Sequence, residues 1–406
     1  MKKLAISIPN YNRIDKLKRL LDEIIRQLTE YHMEDNVQIC ISDDCSPEDP
    51  SDIVRSIQAK YWNLDIRYER KKVNQGMDYN FLSSVLMAES EYCWIIGNDD
   101  IPTHDGISIV LDYLRNNKNV DFIVTPFDVH NNQGIVTSTV YPLLNNKNIA
   151  YNCSNYDERE QLFLNVRNNS GIFGFLSSVV FRRELWVNSY KDFEEKMQSI
   201  FIQVYLNLNA IFNGATYHYL NYKIIKNFAD PEMNDTVERM SNILFGLDDV
   251  VEFFFKDDIR LHMKNVITDA CINGWIWSLP DDNEIKKKLL KIDSPKNECY
   301  KKYYINDENL YDVLGNKKII IYGAGDFGQR SLHKIIENGL EVTGVVDGSQ
   351  DKIGKIWNEY KVMSMTDLLA FYNSDEYCVI VGSHDYLTEM VENLEKNSIF
   401  KIGIVC

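Results

Sequence analysis

The sequence predicts an α/β protein with a first α/β domain over residues 1–225, a helical middle segment over 226–311 and a small second α/β unit over 312–406. Three observations lead there. Short apolar runs alternate with amphipathic stretches through the first third of the chain, which is the pattern of repeated strand–helix units. The middle carries apolar residues at helical spacing, among them Leu244, Leu247, Val251, Phe254 and Phe255. The final stretch returns to alternation and opens with a glycine-rich turn.

Residues 4–8 form a short apolar run closed by Pro9-Asn10-Tyr11-Asn12-Arg13. Ile14, Leu17, Leu21, Ile24 and Leu28 then recur at helical spacing. A second strand over 37–42 ends in Asp43-Asp44-Cys45-Ser46, and a helix follows over 51–60. A third strand over 64–68 leads to Arg70 and the turn Asn74-Gln75-Gly76. A helix over 78–88 precedes the apolar run 92–96, which stops at Gly97-Asn98-Asp99-Asp100, and Pro102 blocks its continuation. A helix over 107–114 and a strand over 122–125 come next. This alternation predicts a mostly parallel sheet. Its strand ends carry Asn10 and Asn12, Asp43 and Asp44, Asn74, and Asp99 and Asp100 along one edge, where ligands bind in open α/β sheets. One acidic loop reads as a turn or a helix cap. Several aligned loops point to a ligand, and the adjacent carboxylates of Asp99 and Asp100 call for a cation. Mg²⁺ or Mn²⁺, which take oxygen ligands and bridge to phosphates, suit that position.

The chain has 406 residues, 45% of them hydrophobic and 26% charged, which is ordinary for a globular protein with real cores. A net charge of −16 argues against nucleic acid as a partner and against broad attraction to anionic lipid. The eight cysteines include no Cys-x-x-Cys pair and read as reduced core residues of a cytosolic protein. The apolar run at the start ends at Pro9, too short for a signal peptide, and no segment approaches the length of a membrane span.

The segments Ser7-Ile8-Pro9-Asn10-Tyr11-Asn12-Arg13, Ile41-Ser42-Asp43-Asp44-Cys45-Ser46, Asn74-Gln75-Gly76 with Asn80, and Gly97-Asn98-Asp99-Asp100 together resemble the family 2 glycosyltransferases, which have the GT-A fold. The block from Gly174 to Trp186 extends the likeness toward the abequosyltransferase-like branch. The resemblance implies a nucleoside-diphosphate-sugar donor, with Pro9, Tyr11, Asn12, Arg13, Asp43, Asp44, Asn74, Gly76 and Asn98 around its nucleotide. It implies a metal held by Asp99 with Asp100 beside it; Gly97 stands where the family's motif has its first Asp. It implies inverting transfer to a glycan or lipid-linked acceptor in surface polysaccharide synthesis. Glu194, Glu195 and Gln203 lie where the family places its catalytic base, and a glutamine cannot serve as one. Cytoplasmic placement follows, and peripheral contact with the inner face of the plasma membrane and homo-oligomer formation are compatible with it.

The middle reads as a helical connector whose aromatic residues, including Trp275 and Trp277, pack between domains, with a lid, an acceptor surface or a membrane-facing patch as the alternatives. Asp230-Pro231-Glu232 breaks the chain before it, and 281–297 is charged and reads as a solvated helix or linker. In the last unit a strand over 318–322 runs into Gly323-Ala324-Gly325-Asp326-Phe327-Gly328, a helix follows, and the next strand ends at Asp347. Gly323, Gly325, Gly328 and Asp347 are the spacing of a Rossmann-like nucleotide site, which also occurs as a packing device. This unit resembles the sugar-nucleotide-binding domain that precedes some bacterial sugar acyltransferases. Two classes of function are open at this point: a metal-dependent glycosyltransferase, or a nucleotide-binding assembly or regulatory protein with an inactive transferase domain.

Overall fold

Strand β1 (Lys2–Asn10) holds Leu4, Ala5, Ile6 and Ile8 out of solvent, as a strand covered on both faces must. Helix α1 (Ile14–Glu30) lays Leu17, Leu20, Leu21, Ile24, Ile25 and Leu28 into the same core. Then come β2 (Val37–Asp43), α2 (Ser51–Lys60), β3 (Asp65–Arg70), α3 (Met77–Leu86), β4 (Ser90–Ile95), β5 (Ile101–Pro102), α4 (Gly106–Asn116), β6 (Phe122–Val124), β7 (Phe127–His130), β8 (Val136–Val140) and β9 (Ile149–Asn152). The series continues with α5 (Tyr156–Leu164), β10 (Val179–Arg182), α6 (Glu184–Ser189), α7 (Ile202–Phe212), β11 (Thr216–Tyr219), β12 (Ile225–Phe228), α8 (Val237–Phe254) and α9 (Asp257–Cys271). The computed structural model describes residues 1–131, 133–228, 237–271, 283, 287, 295–306, 309–383 and 386–405. They fall into two units, Met1–Ile267 and Thr268–Cys406.

The first unit is built on an eight-stranded sheet of order β3-β2-β1-β4-β10-β6-β11-β9. The strands from β3 to β4 are parallel, whereas β10 runs antiparallel to both β4 and β6, and β9 antiparallel to β11. The expected mostly parallel sheet therefore holds from β3 to β4 and between β6 and β11, and gives way around β10 and at β9. Only the first half of the unit repeats strand–helix crossovers, and β10 enters after a long excursion that brings it back in the opposite sense. A second sheet, β5-β12-β7-β8, is assembled from short segments with little periodicity of their own. The phenylalanines at the end of α8 pack on the first unit itself: Phe254 stacks on Phe212 of α7 at 5.5 Å between ring centroids, and Phe255 meets Phe163 of α5 edge-on at 4.6 Å. Trp275, Trp277, Asp230-Pro231-Glu232 and most of the charged stretch 281–297 lie outside the described residues. The part of that stretch from 295 onward begins a helix in which Lys296 and Asn297 are buried.

The second unit contains α10 (Pro295–Tyr303), α11 (Leu310–Leu314), β13 (Lys318–Tyr322), α12 (Asp326–Glu337), β14 (Val342–Val346), β15 (Ile356–Trp357), β16 (Tyr360–Met363), α13 (Met365–Phe371), β17 (Tyr377–Val381), α14 (Leu387–Lys396) and β18 (Ile402–Gly403). Its sheet has the order β15-β16-β14-β13-β17-β18 and is parallel except at β15. Strand β13 lies at its centre, with Ile319, Ile320 and Ile321 buried. Cys40, Cys93, Cys153, Cys299 and Cys378 are buried, and burial pushes the Cys93 and Cys378 thiols up to about 12. They are core residues, as the spacing suggested.

Candidate active site

The ends of β1 and β2 are tied together by one polar lattice. The Asn10 amide donates to Asp43 Oδ1 at 2.7 Å and to Ser46 Oγ at 3.3 Å, and the Ser46 hydroxyl donates to the same Asp43 oxygen. The backbone N–H of Ser46 donates to Asp43 Oδ2 at 3.2 Å, and Arg70 from the end of β3 pairs with that oxygen at 3.3 Å. Asp43 is fully buried, so this set of donors is what allows its charge to sit there. Asp44, also buried, takes the N–H groups of Gln75 at 2.8 Å and Gly76 at 2.9 Å, one on each oxygen. Gly76 has φ of 93°, a left-handed conformation suited to glycine, and α3 starts directly after it. Asp43 and Asp44 thus shape the loops from below. The groups open to a ligand at this edge are Tyr11, Asn12 and Asn74, all exposed, with Pro9 and Gly76 partly so.

At the end of β4 the chain turns sharply, with Asp100 N–H donating to Gly97 O at 2.9 Å. The Asn98 amide donates to Asn10 Oδ1 at 2.8 Å and joins this loop to the lattice. Asp99 is partly open and pairs with Arg13 Nη1 at 2.5 Å. Asp100 points inward: Asn227 of β12 donates to it at 2.8 Å. Burial, then the neighbouring Asp99 charge, pushes its carboxyl up to about 7. A Cβ added at Gly97 would stand 2.8 Å from Asp99 Oδ1 and 3.4 Å from Asp100 Oδ2. The glycine is what lets both carboxylates fold back over position 97.

Among the described residues no group of three His, Cys, Asp or Glu stands close enough to hold a metal ion alone. One accessible carboxylate together with phosphate oxygens of a bound donor is nevertheless a set that Mg²⁺ accepts. Asp99 fits such a bridging ion, and Asp100, turned inward, fits a supporting place behind it.

The candidates near α7 are scattered. Glu194 and Glu195 are exposed on a 3₁₀ turn spanning Tyr190–Lys196, whereas Gln203 is buried in the first turn of α7, with no partner for its Oε1 among the described residues. The carboxylate that does meet α7 is Asp78 of α3. It accepts the N–H of Ile200 at 3.0 Å, at a helix start whose N-cap residue, Phe201, makes no side-chain capping bond. Burial raises the Asp78 carboxyl to about 6. In sequence it read only as the first residue of a helix. Ser46 stood inside a motif already singled out, and Arg70 at a strand end. Ser177, whose Oγ accepts the Gly97 N–H at 3.0 Å, stood inside the Gly174–Trp186 block, whereas Asn227 carries no local signal, because the fold alone brings it to the Asp99 loop.

In the second unit, Gly323 has φ of 119°, and a Cβ on Gly328 would lie 2.0 Å from the Gly323 carbonyl oxygen. These two glycines are packing positions. Gly325 differs, since a Cβ there meets nothing within 4 Å. Asp347 accepts the N–H of Ala324 and of Ser349, each at 2.8 Å, and pairs with Lys352 at 3.1 Å. Burial works against its charge, but these donors hold the carboxyl below its usual range.

Residues 5–184 match the family model described as Glycosyl transferase family 2. Residues 315–405 match one described as C2185-like, N-terminal. The chain is similar to an abequosyltransferase of Salmonella typhimurium, 27% identical over 238 residues, 58% of this chain and 68% of that one. It is also similar to an uncharacterized glycosyltransferase of Mycoplasma genitalium, 25% identical over 114 residues, 28% of this chain and only 37% of the relative's length. Among solved structures, S. aureus TarS 1–349 in complex with UDP-GlcNAc aligns with a TM-score of 0.49 and 11% identity, covering 88% of this chain and 98% of that one. A mannosyltransferase from Pyrobaculum calidifontis in complex with GDP-Man and Mn²⁺ aligns with a TM-score of 0.45 and 13% identity, covering 71% and 74%. The protein is a glycosyltransferase. The family 2 match covers residues 5–184 of its first unit, which is built on a mixed sheet of the GT-A type.

Proposed function

We propose that the first unit moves a sugar, with inversion, from a nucleoside-diphosphate donor to a glycan or lipid-linked acceptor in surface polysaccharide synthesis. The observation that carries this reading is the joined edge of β1, β2 and β4, where Asn10 links Asp43 to Asn98 beside Asp99. In this reading Tyr11 stacks on the donor base, and Asn12, Asn74 and the Gly76 turn line the nucleotide, with Pro9 beneath. Asp43 and Asp44 hold those loops in place. Arg13 lies beside Asp99, where it can turn to a phosphate. A Mg²⁺ or Mn²⁺ held by Asp99, when bound, would neutralise charge on the leaving diphosphate. The acceptor hydroxyl attacks the anomeric carbon, the diphosphate leaves, and Glu194 or Glu195 takes the hydroxyl proton; Gln203 can only orient. Screening UDP-, GDP-, CDP- and dTDP-sugars for hydrolysis and transfer, with and without Mn²⁺, tests this. Turnover of one donor is expected, and its complete absence across the panel would return the inactive-transferase alternative.

The open position at Gly325 favours a nucleotide or nucleotide sugar at the glycine turn of the second unit. Gly323 and Gly328 would set the turn, and Asp347 would hold it through Ala324. The site would lie at the start of α12. Among the described residues no helix is long and apolar enough to cross a membrane. Peripheral contact with the membrane's inner face, cytoplasmic placement and homo-oligomer formation stay part of the proposal.

A further inference from the structure

A cleft of about 670 Å³ lies in the first unit between one face of α1 and the β5–β12 pair. Three cations line it, Arg19, Arg26 and Lys226, against the acids Asp22 and Glu23. Their pairing is uneven. Glu23 receives two hydrogen bonds from Arg26, at 3.0 and 2.7 Å, and Arg26 also pairs with Glu30. Those charges cancel among themselves, and Asp22 is exposed to water. Arg19 has no carboxylate partner among the described residues. Its guanidinium donates to the backbone carbonyl of Asp99 at 3.2 Å and lies 4.4 Å from the centre of the Phe228 ring. The Lys226 ammonium makes no side-chain hydrogen bond or ion pair among the described residues, although its charge also acts on Glu23.

These two cations stand next to the reactive loop. Lys226 is register partner to Ile101, directly after the Asp99-Asp100 pair, and its neighbour Asn227 bonds Asp100. Arg13 and Arg19 take opposite ends of Asp99, the first its carboxylate and the second its carbonyl. Ile101 and Pro102 add an apolar wall, and the Phe228 ring lies against the Arg19 guanidinium. Unpaired cations beside an apolar surface, in a chain of net charge −16, select an anion carried on an apolar group.

We propose that this cleft is the acceptor's anion subsite, in which Arg19 and Lys226 hold the phosphate or diphosphate of a lipid-linked acceptor while its sugar hydroxyl reaches the Asp99 loop. The proposal deepens the glycosyl-transfer reading and rests on it. The test uses the full chain and isothermal titration with farnesyl diphosphate and, separately, inorganic pyrophosphate. Wild type, Arg19→Ala, Lys226→Ala, the double variant and Lys118→Ala are compared, Lys118 being an exposed lysine that does not line the cleft. Circular dichroism verifies each fold. Farnesyl diphosphate is expected to bind wild type and Lys118→Ala alike, tenfold or more tighter than pyrophosphate, and to weaken tenfold or more in the double variant. Equal binding to wild type and double variant overturns the subsite. Equal affinity for the two probes overturns the lipid-linked acceptor. Farnesyl diphosphate binding that depends on Arg19 and Lys226, in a protein that turns over no sugar nucleotide, supports the anion site and overturns the transfer reading instead.

Discussion

Asp99 and Asp44 are both strand-end carboxylates, yet their surroundings separate their roles. Asp99 is partly open and paired with Arg13, and Asp44 is buried with both oxygens on backbone N–H groups. We expect Asp99→Ala to lower transfer by on the order of a hundredfold or more with its melting temperature kept; steady-state kinetics at saturating Mn²⁺ measures this. Asp44→Ala should instead loosen the 74–76 turn, leaving N–H groups unpaired at about 1–3 kcal/mol, and weaken nucleotide binding more than turnover. Tyr11→Ala should cost about 1–3 kcal/mol of nucleotide binding if its ring stacks on the base, a loss that calorimetry reads directly. At position 97 we expect the acid that the family motif would supply to reduce activity. The Cβ of Gly97→Asp would meet Asp99 Oδ1 at 2.8 Å, so the carboxylate must move. A Gly97→Asp enzyme faster than wild type would refute this account of the glycine.

Among the secondary-structure elements, α3 and α7 are coupled through Asp78. Its carboxyl sits near 6 against an ordinary 3.8 because it is buried. The folded state therefore holds this proton more tightly than the unfolded chain does. Stability from this group is full below about pH 4 and is lost as the pH rises to about 6, after which it is level. The shift corresponds to about 3 kcal/mol at most. Urea midpoints of wild type should fall between pH 4.5 and 7, and Asp78→Asn should flatten that part of the curve. The α1 helix shows how much of an element was legible. Its spacing of Ile14, Leu17, Leu21, Ile24 and Leu28 states which face is buried, and the structure buries Leu17, Leu21, Ile24 and Leu28. Nothing in the local pattern announced β5, β7 or β12. They are short, and their partners are distant in the chain.

For the whole molecule, two units carry separate candidate sites and can be perturbed separately. In the second unit Gly325 has extended backbone and open space around its Cβ position. Gly325→Val should leave the melting temperature near wild type while weakening nucleotide binding on the order of tenfold. Gly328→Ala should cost about 1–3 kcal/mol of stability, because its Cβ would press on the Gly323 carbonyl oxygen. Nucleotide titration and thermal melts of both full-length variants distinguish a ligand site from a packing device. If Gly325→Val binds every tested nucleotide as wild type does, the glycine turn is structural.

The sequence by itself determined the strand–helix order of the first 125 residues apart from the two-residue β5, the side of the sheet on which the polar loops gather, and the likeness to family 2. These follow from local periodicity and from motifs a few residues long, which the chain expresses without reference to distant parts. Only the tertiary structure decided that Asp43 and Asp44 are turned inward as supports and that Asp100 faces Asn227. The same holds for the capping of α7 by Asp78 and for the unpaired Arg19 and Lys226 across a cleft. A carboxylate's role depends on which donors and how much solvent surround it, and for these residues the donors come from segments tens of residues away that only packing brings near.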